Sequence, residues 1–156
     1  MRFRFPDIHM RSADCKVDIT LNRFEKNFGV AQKYLDSQVM MDMVPYMPMV
    51  TGTFINQTKA ISASMEGTGY VCAAAPPYGR FLYYGNVMVA PNGSTWAKAA
   101  EKKVTVSQFR GKTNAKEKIQ YTNTFHPEVT EQWFEAAKKK YKKDWVRLVK
   151  QKAGDG

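Results

Sequence analysis

Two cysteines and two histidines are all that this chain holds of the side chains that build soft metal sites and disulfide frameworks. Cys15 stands near one end and Cys72 in an alanine-rich apolar stretch. They are expected as buried thiols in a reducing compartment, with a bridge between them left open but not required. A zinc site would have to gather His9, Cys15, Cys72 and His126 from distant places, without the closely spaced ligand pairs that make such sites recognisable. Both histidines are expected to be structural, His126 because it precedes a proline at a helix start. No apolar run approaches the roughly 20 residues of a bilayer span. The opening MRFRFPDIHM has two arginines but no apolar stretch of signal length and no small-residue cleavage site, so no secretory signal is expected.

Signatures of catalysis and nucleotide binding are also missing. EGTGYV lacks the third glycine of a dinucleotide fingerprint and opens no helix, so a turn explains it better. No phosphate-loop lysine pattern occurs, the serines have no nucleophile-elbow context, and the carboxylates form no evident acid–base pair. The expectation is a protein that is not an enzyme and needs no cofactor or metal. Internal repeats and low-complexity segments are absent as well.

What is present is aromatic and basic. The 156 residues and 17.8 kDa suit one domain, and an apolar share of 44% with 13% aromatics is too high for a disordered chain. The net charge of +10 points to acidic partners, whether nucleic acid, an acidic protein surface or an anionic membrane.

Residues 1–13 read as an N-terminal arm and DCKVDITL, 14–21, as a short strand with Val17, Ile19 and Leu21 on one side. Asn22 and Glu25 have capping-box spacing, and Leu21, Phe24, Phe28, Ala31, Leu35 and Val39 then recur every three or four residues, as an amphipathic helix requires. Pro45 and Pro48 stop that helix. TFINQTKAIS and MEGTGYVCAAA each suit a strand, joined by a turn at 67–69, although Ala60–Ala63 also suits a helix. Residues 76–118 read as a long loop or arm, with eight basic residues against two acidic. KIQYTN reads as a last strand.

A C-terminal helix is expected over 127–152, with Pro127 in its first turn and Val129, Trp133, Ala137, Tyr141, Trp145 and Leu148 at helical spacing. Its lysine-rich face reads as an ordinary solvated surface or as a binding face. The core is expected to hold Phe24, Phe28, Leu35, Trp133, Tyr141 and Trp145. The fold class is α+β: a small curved, mostly antiparallel sheet packed by the two helices.

PPYGRFLYYGN, 76–86, sets Tyr78, Phe81, Tyr83 and Tyr84 around Arg80. It is either a packed corner or a surface built for contact. Two non-catalytic functions fit. In a nucleic-acid binder Phe3, Phe5, Tyr83 and Tyr84 would stack on bases while lysines meet phosphates, although no finger, RNP or helix-turn-helix motif is present. In an assembly protein, aromatic anchors and a basic arm would grip neighbouring subunits.

Three segments in one order carry a family resemblance: VPYMPMVTGTF (44–54), ISASMEGTGYVCAAAPPYGRFLYYGNVMVAPNGSTW (61–96) and IQYTNTFHPEVTEQWFEAAKKKYKKDWVRLV (119–149). Together they resemble the minor capsid proteins of tailed bacteriophages with long non-contractile tails, over roughly residues 20–150. One departure is Gly79, where the resemblance leads one to expect alanine before Arg80. The resemblance implies a structural protein of the virion neck, made in the host bacterial cytoplasm. It implies a six- or twelve-fold ring between a head-closure or adaptor protein and a tail terminator or tail tube, with genomic DNA passing through and no membrane partner. On this reading Pro76 and Pro77 end a strand and part of the Tyr/Phe group packs on the Trp133/Trp145 helix, with Phe81 and Tyr83 equally readable as core. Gly85 launches the arm, and Arg80, Tyr83, Tyr84, Lys98, Lys102, Lys103 and Arg110 contact partners.

Overall fold

The computed structural model describes residues 4, 6–12, 15–19, 21–96 and 101–154. Its centre is a pair of antiparallel helices, α1 (Asn22–Met43) and α4 (Trp133–Gly154). Their opposed directions bring the Asn27 amide to the Ala153 carbonyl at 3.4 Å, while the Trp145 indole N–H donates to Asp42 at 2.6 Å. Both are helical because apolar residues recur at three- and four-residue intervals: Val39, Met40 and Met43 on α1, and Trp133, Ala137 and Trp145 on α4 are buried. A short 3-10 turn (Val44–Tyr46) follows α1, with Pro45 in its first positions. Tyr46 and Met47 complete the core with Ile55.

Several expectations change here. The cap of α1 falls on Leu21 and makes no side-chain hydrogen bond, so the Asn22–Glu25 capping box is not used. Phe24 is 52% exposed, not core, and lies seven residues, about two helical turns, before Ala31, the first buried residue of α1. Phe28 is half-buried outside the core cluster, Leu35 and Tyr141 pack against it, and Trp133 and Trp145 are buried within it. TFINQTKAIS is not a strand but α2 (Thr53–Ser64), and the following segment is irregular. Its buried face is made of Ile55, Thr58 and Ser62. Two of those three are hydroxyl residues, which blurred the helical hydrophobic pattern.

Those hydroxyls hold the next segment in place. The Thr58 hydroxyl donates to Phe54 O at 2.8 Å and accepts the Ala75 N–H at 3.2 Å. The Ser62 oxygen accepts the Cys72 N–H at 3.1 Å. Asp36, only 5% exposed, fixes the 67–69 turn: its carboxylate accepts the N–H groups of Gly67 at 2.8 Å and Gly69 at 3.1 Å, and the Gln32 amide at 2.7 Å. A buried carboxylate requires such donors. The glycine pair is thus a turn, as expected, but it joins a helix to an irregular segment.

The strands form two antiparallel ribbons among the described residues, so the α+β class holds with its strands divided between them. β1 (Ile8–Arg11) pairs with β2 (Lys16–Ile19) in the register Ile8↔Ile19, His9↔Asp18, Met10↔Val17 and Arg11↔Lys16. Part of the expected N-terminal arm is therefore a strand. β3 (Met88–Val89) pairs with β4 (Val104–Thr105) inside the 76–118 segment. KIQYTN contributes only a single bridge, Asn86↔Lys118. α4 starts at Trp133, leaving Pro127 outside it in an irregular lead-in. Cys15 is exposed and Cys72 half-buried, both as free thiols, correcting the expectation of two buried ones.

Candidate functional site

PPYGRFLYYGN folds as a turn containing a cis Pro76–Pro77 peptide, then α3 (Gly79–Tyr84), then Gly85. Gly85 closes the helix in the left-handed conformation, φ 63°, where its N–H donates to Leu82 O at 3.2 Å. The helix has two destinations. Tyr83 turns inward, its ring edge-to-face with Trp133 at 4.9 Å, and its carbonyl accepts the Gln132 N–H at 2.8 Å, just before α4 begins. Trp133 is fully buried, meets Phe54 edge-on at 5.9 Å, and donates its indole N–H to Ala73 O at 2.7 Å. The expected packing of the box against the Trp133 helix is present, and Tyr83 serves that packing instead of a free surface.

Arg80 and Tyr84 face the other way. Four residues apart on one helical turn, they share a face, and both are exposed. Arg80 has no ion-pair partner among the described residues. Tyr78 on the same corner is 69% exposed. Of the side chains that a nucleic-acid reading would stack on bases, Phe3 and Phe5 lie outside the described residues, Tyr83 is packed on Trp133, and Tyr84 is 46% exposed.

The 86–118 segment does not swing free from Gly85. The Ile119 N–H donates to Gly85 O at 2.8 Å, Val87 N–H to Glu117 O at 3.0 Å and Val106 N–H to Val87 O at 3.1 Å, so the loop folds back along its own start. The Lys118 ammonium bonds Tyr84 O at 3.1 Å and Glu131 at 2.7 Å. Lys102 and Arg110 are exposed, whereas Lys103 is half-buried with its ammonium on Thr95 O at 2.5 Å. Lys98 lies outside the described residues. Trp96, 85% exposed within this segment, is a residue that sequence reasoning missed; its signal is a large apolar ring in the polar run NGSTW.

Tyr121 closes the arrangement by donating its hydroxyl to Leu82 O. Burial, and secondarily the Glu131 charge, push its phenol up to about 12 from 10.0. Burial raises the Tyr83 phenol too. The neutral phenols are therefore favoured in the folded chain. The Tyr121 contribution is complete below pH 10 and is lost as pH rises toward 12. The urea midpoint is expected to fall between about pH 9 and about pH 11.5, with a shallower fall in Tyr121→Phe. An unchanged slope in that variant would show that Tyr121 does not carry this pH dependence.

His126 holds the lead-in to α4, its Nδ1–H donating to Met47 O at 2.7 Å. Nearby, Lys140 reaches Glu128 at 3.3 Å, and its ammonium is raised above its ordinary value by hydrogen bonding to Tyr46 and then to Glu128. Among the described residues, no three His, Cys, Asp or Glu side chains come together in a way that could hold a metal ion, and no helix is long and apolar enough to cross a membrane. Comparison with protein-family models, with curated proteins and with solved structures gives no match.

Proposed function

We propose that this chain is a structural, non-catalytic protein of the neck of a tailed bacteriophage virion. It would form a six- or twelve-fold ring that completes the head–tail joint. A head-closure or adaptor protein lies on one side, a tail terminator or tail tube on the other, and genomic DNA passes through.

The observation that carries this reading is the β1–β2 ribbon. Ile8, Met10, Val17 and Ile19 occupy one of its faces, since directly opposed and alternate residues share a face, and each is between 37% and 58% exposed. Every ribbon side chain described is exposed. A two-stranded hairpin is marginal in water on its own. One that presents an exposed apolar face suits an assembly arm, completed when a neighbour covers it. Heterologous contacts between copies close into rings. The exposed Arg80–Tyr84 face and Trp96 offer further anchors of the residue types that dominate interface energetics.

The test is assembly with the fold preserved. Arg80→Ala/Tyr84→Ala and, separately, Met10→Asp/Val17→Asp are expected to change the unfolding free energy of the isolated chain by no more than about 0.5 kcal/mol, as exposed positions do. The fraction of particles with joined tails, counted by negative-stain electron microscopy, should nevertheless drop sharply. Normal tail joining in both double variants, or unfolding of both, would count against an interface role.

A further inference from the structure

Between α1, α4 and the segment after the 67–69 turn lies a groove of about 710 Å³. Its apolar wall includes Leu35, Val39, Val71, Phe134, Trp145 and Val146. Along one border runs a row of α4 residues four apart: Lys138, Lys142, Val146 and Lys150. Four-residue steps place them on one face, and the row extends about 18 Å, three turns of helix. Val146 is 47% exposed although apolar. Lys138 is drawn to Glu135 at 3.5 Å and over the Phe134 ring at 5.6 Å, while Lys142 and Lys150 have no acidic partner among the described residues. The carboxylate in the wall, Asp36, is already occupied by Gln32 and the 67–69 turn.

We infer that this groove docks an acidic amphipathic helix from a partner protein. Its apolar side chains would enter between α1 and α4, and its carboxylates would meet Lys138, Lys142 and Lys150. An apolar floor with one long border of a single charge is the complement of such a helix. A second copy of this chain is a poor occupant, since each copy carries a net charge of +10 and its long amphipathic helices are not acidic along one face. The inference does not depend on a place in a virion neck, and it gives the lysines of α4 a role beyond solvation.

The experiment uses the full chain and two fluorescein-labelled synthetic peptides of about five helical turns. Both carry leucine at three- and four-residue spacing; one has glutamate and the other lysine at the remaining positions. In fluorescence anisotropy the glutamate peptide is expected to bind saturably and the lysine peptide not at all. Lys142→Glu/Lys150→Glu and Val146→Glu should each weaken binding by about tenfold or more, equivalent to about 1.4 kcal/mol. Melting curves accompany each variant, and Lys142→Gln/Lys150→Gln replaces the charge reversal if that variant melts early. Equal binding of the two peptides, or affinity unchanged in the groove variants, would overturn the proposal. So would groove-dependent binding to anionic vesicles, or groove-dependent self-association in sedimentation velocity, if the glutamate peptide does not bind.

Discussion

Trp133→Ala is expected to lower the unfolding free energy by about 3–5 kcal/mol, a large share of the 5–15 kcal/mol typical of a domain. Three losses combine at that position. The indole is completely buried, so its removal leaves a cavity where α2, α3 and α4 meet. The edge-to-face contacts with Tyr83 and Phe54 disappear. The Ala73 carbonyl loses the donor that binds it at 2.7 Å. For a chain of this size the melting temperature should fall by about 6–20 °C. Trp133→Phe keeps most of the ring contact and loses the donor, and should fall between the two. A shift of only a degree or two for the alanine variant would mean that the Trp133 cluster is not what ties the aromatic corner to the helix pair.

Gly79→Ala is the second. A Cβ added there would lie 2.5 Å from the Ala74 carbonyl carbon and 2.8 Å from both its oxygen and its Cβ. Two of those atoms are backbone, so the 74–79 turn itself would have to move, and with it the Gly79 N–H bond to Ala75 O at 2.9 Å. Overpacking of this kind costs about 1–3 kcal/mol or more. The matched control is Gly29→Ala in α1, where nothing lies within 4 Å of the added Cβ. That change should be neutral or stabilising by up to about 1 kcal/mol, since glycine weakens a helix interior. Chemical denaturation of the two variants side by side checks both. If Gly79→Ala were as stable as the parent chain, this turn would not be the tight one described. At this turn, glycine is a packing requirement.

Much of this was legible where periodicity was strong and buried side chains were apolar. α1 and α4 follow directly from the spacing of Leu35, Val39, Trp133, Ala137 and Trp145, whereas aromatic density alone left the Tyr/Phe box readable as a packed corner or as a contact surface. Legibility failed where hydroxyls took the place of apolar groups. α2 buries Thr58 and Ser62 because the irregular 72–75 segment supplies backbone partners, a tertiary arrangement no local window reports. The α4 start was misplaced because Pro127 suits a first helical turn, while Gln132, with φ 50°, lies outside helical dihedrals just before Trp133. Phe24 fits the helical pattern but precedes the first buried residue of α1, Ala31, by about two turns. The role of α4's lysines was undecided because sequence shows which residues share a face, not what borders it; the groove beside Lys138, Lys142 and Lys150 exists only once α1 and the 67–73 segment are in place.

The most direct test of the proposed function is a cryo-electron microscopy reconstruction of the neck in virions that contain this protein. The expected result is a ring of its 17.8 kDa domain between head and tail, with the β1–β2 ribbon of each copy covered by the next. A neck reconstructed without this chain, or a ring in which Ile8, Met10, Val17 and Ile19 still face solvent, would contradict it.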